Sequence, residues 1–427
     1  MDLVQVSCSK AANFVSEGDV ISSLPETLIT NILDRLPIRD AVRTGILARN
    51  WRLKWTMLSQ LVFDEKFFKD VFGAPGTDSY DWRNVIKFLL SLRGSITKFT
   101  LRLPKDMVFD VEDINHWFLF LSGKEIKDVS LINMHETPLK LPDHLFSCLE
   151  LKCLEIRDCY FCPPLSFRGF PNLLKLNLLR VHFESYKFGE LVTCCPVLEI
   201  LGNYVDGLLG KVKAVEIAQL DNLKSLSMSL SNLDTGTLTS SSIFQLVGSF
   251  SKLQEVILVF LNCKLLAEAG ATKGITTTFP CLEILRLWSV DCNKDIEVSL
   301  VLKMICCSPK LQKLQIVGTY ENDVPPIAPC SSDFNDNTMW RSQLRSVVFA
   351  CSKGSKSEIY LIKTLLACSP LLKKIAIGLN TSLMVDGADG RLQFAEKLLK
   401  LHRASTMAEI DLFYFSNWDS SVPYYYW

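Results

Sequence analysis

Apolar residues along this chain recur in one spacing: an apolar position, two variable ones, a second apolar position, one variable, and a third apolar. From about Ile96 onward it is written as "ITKFTL" at Ile96, "IKDVSL" at Ile126, "LKCLEI" at Leu151, "LLKLNL" at Leu173, "LKSLSM" at Leu223, "LQEVIL" at Leu253, "LEILRL" at Leu282, "LQKLQI" at Leu311, "LRSVVF" at Leu344 and "LKKIAI" at Leu372. The last three positions alternate with period two. That predicts a short strand whose apolar side chains share one face.

The copies follow one another at steps of about 22 to 33 residues, and a weaker copy, "LEILGN" at Leu198, splits one double step, which is the period of a leucine-rich repeat. Pro171, Pro196, Pro280, Pro309 and Pro370 each stand two places before the first leucine of a copy. Proline cannot donate to a ladder, so it marks the approach to a strand rather than its middle. Between copies, Ser241 to Phe250, Ser299 to Cys307 and Glu358 to Ser369 carry apolar residues at helical spacing and are expected to be return helices. Units of this kind cover their leucines only by stacking, so the expected fold is α/β, a curved solenoid with parallel strands on the concave face and helices on the convex face. The residues flanking each middle leucine then face the open side. Lys175, Asn177, Glu255, Arg286, Lys313 and Gln315 are the candidates there for binding a partner; their mixed charge suits a protein better than a polyanion.

Residues 20 to 58 carry helix signals and no strand pattern. "SLPE" at Ser23 to Glu26 predicts a capping box with proline in the first turn. Leu28, Ile29, Ile32, Leu33 and Leu36 follow at helical spacing, and Pro37 ends the run. Asp40 is the expected N-cap of a second helix holding Ala41, Val42 and Ile46. In "LARNWRLKW", Leu47, Trp51 and Trp55, with Leu58 beyond, are spaced to share the face of a third helix, which leaves Arg49 and Arg52 on its solvated side. Three short helices bury little surface, and such a module gains by docking its apolar residues on a partner.

Composition narrows the function. The 427 residues are 48% hydrophobic and carry 46 basic against 46 acidic side chains, whereas nucleic-acid binders normally show a basic excess. Fifteen cysteines scattered through leucine-rich sequence fit buried thiols in a reducing compartment, and the start of the chain has neither the basic opening nor the apolar core of a signal peptide. The strongest apolar run, Val256 to Leu261, is too short to span a bilayer, so nucleus or cytoplasm is expected, without membrane or nucleic-acid partners. Phosphate-loop, dinucleotide, nucleophile-elbow and zinc-protease motifs are missing, and the five histidines are dispersed. "CYFC" at Cys159 to Cys162, with Cys148 and Cys153 upstream, lacks the second pair that a structural zinc requires. No catalytic centre, metal or cofactor is expected.

"LPETLITNILDRLPIRDAVRTGILARNWRLKW" (Leu24 to Trp55), followed by "LSQLVFDEKFF", resembles the plant type of F-box, with Ala48 where serine is usual and Asn50 where a basic residue is common. The stretch from Leu344 to Leu379 with "FAEKLLKLHRASTMAEIDLFY" is similar to the FBD domain of plant F-box and leucine-rich-repeat proteins, most specifically in "RAS-x-x-AE" ending at Glu409. The resemblance implies a tail over residues 1–17, an F-box over 18–65, a connecting segment over 66–95, repeats over 96–335 and an FBD domain over 336–420 that continues the array. It further implies a substrate receptor of an SCF-type ubiquitin ligase, in which the F-box grips a Skp-family adaptor and through it a cullin, and the repeats select the protein to be ubiquitinated. Carried over by position, the adaptor-facing residues are Leu24, Pro25, Ile29, Ile32, Leu33, Leu36, Pro37, Val42 and Leu47. The alternative is a plain scaffold whose F-box assembles no ligase; nucleic-acid binding through Arg49 to Trp55 and a hidden enzyme rank below it.

Overall fold

The computed structural model describes residues 24–72, 83–183, 188–204, 217–233, 238–261, 263–266, 277–319, 343–352, 354–380 and 387–415. Two helices come first, α1 (Glu26–Leu33) and α2 (Ile38–Arg43), then three single 3-10 turns, Thr44–Ile46, Arg49–Trp51 and Lys54–Met57. Both helices open on proline rather than on the predicted polar caps. The Pro25 carbonyl accepts from the amides of Leu28 (3.0 Å) and Ile29 (3.1 Å), and the Pro37 carbonyl from those of Asp40 and Ala41 (2.9 Å each). A proline has no N–H to leave unsatisfied there. Asp40 therefore sits in the first turn, where its charge still suits the helix N-terminus, and Ser23 lies outside the described residues.

The predicted third helix is not continuous. Ala48 is extended (φ −153°, ψ 156°) and separates two turns, so the four-residue spacing does not hold its side chains on one face. Trp51 and Leu58 are buried, Trp55 is half-buried and stacks on Phe88 with ring centroids 5.8 Å apart, and Leu47 points to solvent. Trp55 thus ties the module to the helix Arg83–Ser91 that precedes the repeats.

From there thirteen of the strands among the described residues form one sheet, every neighbouring pair parallel, in chain order: Gln60–Phe63, Lys98–Leu103, Asp128–Asn133, Cys153–Arg157, Lys175–Leu179, Ile200–Tyr204, Ser225–Ser229, Glu255–Val259, Ile284–Asp291, Lys313–Thr319, Ser346–Ser352, Lys374–Asn380 and Glu409–Phe415. Eleven of these begin two residues after the first apolar position of a copy, the weak one at Leu198 included. The sheet is longer than the sequence reading at both ends. Leu58-x-x-Leu61-x-Phe63 and Met407-x-x-Ile410-x-Leu412 carry the same spacing, and their strands pair with the array, the first inside the segment assigned to the N-terminal module.

A run of backbone bonds just before the strands locks the units in register: Thr97 N–H to Ser59 O, Lys127 to Thr97, Lys152 to Lys127, Leu174 to Lys152, and so on to Lys373 N–H on Arg345 O, each 2.7–2.9 Å. The second and third apolar residues of the copies, such as Phe99 with Leu101 and Leu176 with Leu178, are fully buried in one continuous core. Return helices cover it with their own apolar faces: Ile114, Trp117, Phe118 and Leu121 from Val111–Ser122, and Leu361, Ile362, Leu365 and Leu366 from Lys356–Cys368. Burying each such side chain is worth about 1.5–3 kcal/mol, so the leucine spacing carries the fold.

Two of the helices close their first turn on a buried glutamate. Glu358 accepts from the amides of Gly354 (2.7 Å) and Ser355 (2.9 Å), and Glu297, at the same position of Asp295–Cys306, accepts from Asp291 N–H (2.7 Å). At the C-terminal end, buried Ser405 donates to Leu372 O (2.7 Å) and Ala404 N–H reaches Leu366 O (2.9 Å). The "RAS" element is thus the staple that fastens the last strand to the unit before it.

Candidate functional site

Two surfaces carry the candidate residues, the N-terminal module and the open face of the sheet. On the module, Ile29 and Leu33 lie on the inner side of α1 and are buried in the main core. They support the module from within and present nothing to a partner, which corrects their place among the surface candidates. Pro25, Ile32, Leu36, Pro37 and Leu47 are exposed, and Leu24 and Val42 are half-buried. Ile32 is 44% exposed and Leu28, one turn before it, 48%; Ile46 and Leu47, in the turn after α2, reach 86% and 75%. Leu28, Ile46 and Leu53 join the exposed set without having been singled out by position. Scattered exposed leucines are ordinary, but here they gather within about thirty residues of one small module.

The cations of "LARNWRLKW" do not build a phosphate track. Arg49 and Arg52 are solvated, and Lys54 Nζ is paired with Glu26 at 2.5 Å, across from the start of α1. A second pair, Arg39 to Asp70 at 2.5 Å, joins α2 to the helix Glu65–Phe72.

On the open face the register sorts the six candidates into two groups. Lys175 and Asn177 stand opposite Cys153 and Glu155 of the preceding strand. Lys175 borders a hollow of about 240 Å³ in which Lys98 pairs with Asp128 (3.4 Å) and Ser130 donates to Glu155 (2.9 Å). Glu255, Arg286, Lys313 and Gln315 lie on three consecutive strands, with Arg286 forming an ion pair to Glu255 and aligned with Gln315. Two strands separate the groups, so three spacings of about 4.8 Å, roughly 14 Å in all, lie between them.

Beside the second group is a feature that sequence reasoning missed. Ile257, Val259, Trp288, Val317 and Ala350 form a buried apolar cluster of their own, separate from the leucine core. They share the face of Glu255 and Arg286, and all but Ile257 lie one alternation beyond the flanking positions. The alternation could have found them by continuing past the third apolar residue of each copy.

The thiols near "CYFC" are packing groups. Burial pushes the Cys148 thiol up to about 12 and the Cys159 thiol well above its ordinary value, and Cys159 Sγ donates to Arg157 O at 3.2 Å. Among the described residues no group of three histidine, cysteine or acidic side chains is placed to hold a metal ion, and no helix is long and apolar enough to cross a membrane.

Comparison with known proteins bears on both surfaces. Residues 21–62 match the family model for the F-box domain, and residues 114–239 match the one described as FBD-associated F-box protein At5g56370, LRR repeats. The chain is 29% identical over 421 residues to F-box/FBD/LRR-repeat protein At1g13570 of Arabidopsis thaliana, covering 92% of this chain and 98% of that one. The chain carries an F-box followed by leucine-rich repeats and is similar to F-box/FBD/LRR-repeat proteins over most of its length. Another relative, the putative FBD-associated F-box protein At5g56560 of Arabidopsis thaliana, is 29% identical over 49% of this chain and 48% of its own length. Among solved structures, a chain from the crystal structure of the Rad7 and Elc1 complex in yeast is similar, with a TM-score of 0.43 and 12% identity over 86% of this chain and 88% of that one. The exposed apolar set of the N-terminal module is therefore the outer surface of an F-box, and the two groups of polar residues lie on the open face of its leucine-rich repeats.

Proposed function

We propose that this protein is the substrate-recognition subunit of an SCF-type E3 ubiquitin ligase. Its F-box docks on a Skp-family adaptor, and through it on a cullin, while the repeats and FBD segment bind the protein to be ubiquitinated. The chain itself performs no catalysis in this role. The observation that carries the reading is the outward display of Leu28, Ile32, Leu36, Ile46, Leu47 and Leu53 by a module whose inner side is already satisfied by Ile29, Leu33 and Ala41. A small helical module with that much apolar surface in water gains by covering it with a partner. Neutral net charge and a mixed-charge open face favour a protein substrate over a nucleic acid.

Binding of purified chain to a purified Skp-family adaptor tests the reading. The wild-type chain is expected to bind at micromolar concentration or below. The Ile46→Asp plus Leu47→Asp variant is expected to lose binding by about 100-fold or more with an unchanged circular dichroism spectrum, because both side chains are in solvent in the free chain. Failure of the wild-type chain to bind at tens of micromolar overturns the ligase role.

A further inference from the structure

A hollow of about 440 Å³ opens where the strands Asp128–Asn133, Cys153–Arg157 and Lys175–Leu179 end, lined in part by Lys105, His135, Glu136, Arg157, Asp158 and Arg180. It belongs to neither candidate surface above. Its back wall is rigid. Asn133 is buried and donates to Thr137 O (2.8 Å) and Asp158 O (2.9 Å), while its own carbonyl oxygen accepts from His135 N–H (3.1 Å).

Three features go beyond what the repeat needs for packing. First, Asp158 and Arg180, at equivalent places just past their strands, both have left-handed backbone, φ 55° and 49°. Ser289, at the equivalent place of a later repeat, shares that conformation (φ 58°), but at Asp158 and Arg180 it falls on two oppositely charged side chains that meet each other. Second, one carboxylate holds two guanidinium groups. Asp158 accepts from Arg157 Nε at 3.2 Å and from Arg180 through both Nε and Nη2, the latter at 2.6 Å. Arg157 and Arg180 remain 31% and 43% exposed, so the clamp orients two forks at the mouth without burying them. Third, His135 Nε2 is buried with no hydrogen-bond partner among the described residues, its ring set edge-on to Phe109.

The charges sharpen this picture. Lys105, Arg157 and Arg180 face Asp158 and Glu136, a local excess of one positive charge in a chain that is neutral overall. Two fixed guanidinium forks, an ammonium and an imidazole around an open volume match an anion with three acceptor oxygens better than a planar carboxylate. The hollow is also larger than a bare phosphate ion requires, leaving room for the group that bears it.

We propose that this hollow binds a phosphate monoester carried on a serine or threonine side chain of a bound protein. The class of partner rests on the proposal that the repeats bind a protein; the anion site stands on its own geometry. Arg157 and Arg180 grip the phosphoryl oxygens, Lys105 supplies the net positive charge of the site, and Asp158 acts as the positioning residue for both forks.

The test uses the full chain with a short glycine-rich phosphoserine peptide, its unphosphorylated counterpart, inorganic phosphate and glucose 6-phosphate, read by phosphorus NMR and calorimetry. The phosphopeptide is expected to bind, more tightly than inorganic phosphate or glucose 6-phosphate, and the unphosphorylated peptide not to bind. Arg180→Gln and Lys105→Gln are each expected to weaken the phosphopeptide about tenfold or more with the thermal transition unchanged. Glucose 6-phosphate binding as tightly as the peptide overturns the assignment to a protein side chain. No binding of any phosphate, or equal binding by the Arg180→Gln chain, overturns the site. Adaptor binding measured on the same preparations separates the two proposals: a chain that binds phosphopeptide and no adaptor keeps this site and loses the ligase role, and the reverse result does the opposite.

Discussion

Asp34 closes α1 and holds Ser59, twenty-five residues on: its carboxylate accepts from Ser59 N–H at 2.9 Å and from Ser59 Oγ at 2.6 Å, and also from Gln60 N–H at 3.2 Å. Ser59 is the residue whose carbonyl begins the run of inter-repeat bonds, receiving Thr97 N–H at 2.8 Å. One side chain therefore couples the F-box to the first strand of the sheet. Asp34→Ala is expected to destabilise the chain by about 2–3 kcal/mol, since it strips a charged acceptor from two backbone donors and a hydroxyl. Urea denaturation measures the loss, and faster hydrogen exchange at Ser59 and Gln60 places it; protection there equal to wild type contradicts the coupling.

The inner side of α1 and the exposed turn after α2 should respond differently to substitution. Leu33→Ala is expected to cost about 2–5 kcal/mol of stability, because the side chain is fully buried, whereas Leu47→Ala should change stability by less than about 0.5 kcal/mol and weaken adaptor binding instead. Denaturation midpoints alongside adaptor titrations separate the two effects. A stability loss at Leu47 as large as that at Leu33 would show that its exposed position is misassigned.

Gly169 is constrained by space as well as by backbone. Its φ is 102°, and an added Cβ would lie 2.3 Å from both the Cβ and the carbonyl oxygen of Cys194 in the neighbouring repeat. Gly169→Ala is expected to destabilise by about 3 kcal/mol or more, read as a drop in melting temperature. A melting temperature unchanged from wild type would mean that the two repeats do not approach this closely.

Glu297 gives the fold a pH dependence of defined sign. Burial, the largest influence, raises its carboxyl above the ordinary value, and the bond from Asp291 N–H and the ammonium of Lys294 pull it partly back. A carboxyl raised on folding contributes stability that is complete below the unfolded-state value, roughly 4.3, and is lost as pH rises through the folded-state value. Glu297→Gln keeps an acceptor and removes the charge. The variant should therefore gain on wild type as pH rises from about 4 to about 7, measured as the difference in urea midpoints; a difference independent of pH rules this out.

Glu358 occupies the same position in the helix Lys356–Cys368. Fully buried, it holds Gly354 and Ser355 N–H, and Glu358→Ala leaves both amides without an acceptor at a helix start. A loss of about 2–3 kcal/mol is expected in urea denaturation, with retention of wild-type stability as the contrary result.

Much of this molecule follows from local spacing alone. The two apolar residues that alternate in each copy need a strand, a strand with one apolar face needs cover, and identical neighbours supply it, so the register of the array and the flanking open-face positions could be derived residue by residue. The same spacing at Leu58 and Met407 was equally available, and extends the sheet at both ends. Periodicity failed where the chain leaves regular structure: the four-residue spacing of Leu47, Trp51 and Trp55 implied a helix that the extended Ala48 interrupts. It also could not tell which apolar residues of α1 face inward, because Ile29, Ile32, Leu33 and Leu36 carry the same signal and only packing against the turns that follow buries two of them. Asp158 with Arg180, twenty-two residues apart, and Asp34 with Ser59 meet because strand pairing and loop length sum to bring them together. Hydrophobic spacing is a property of neighbours along the chain, whereas the exposed apolar surface of the F-box, the open-face apolar cluster and the arginine-lined hollow are properties of neighbours across it.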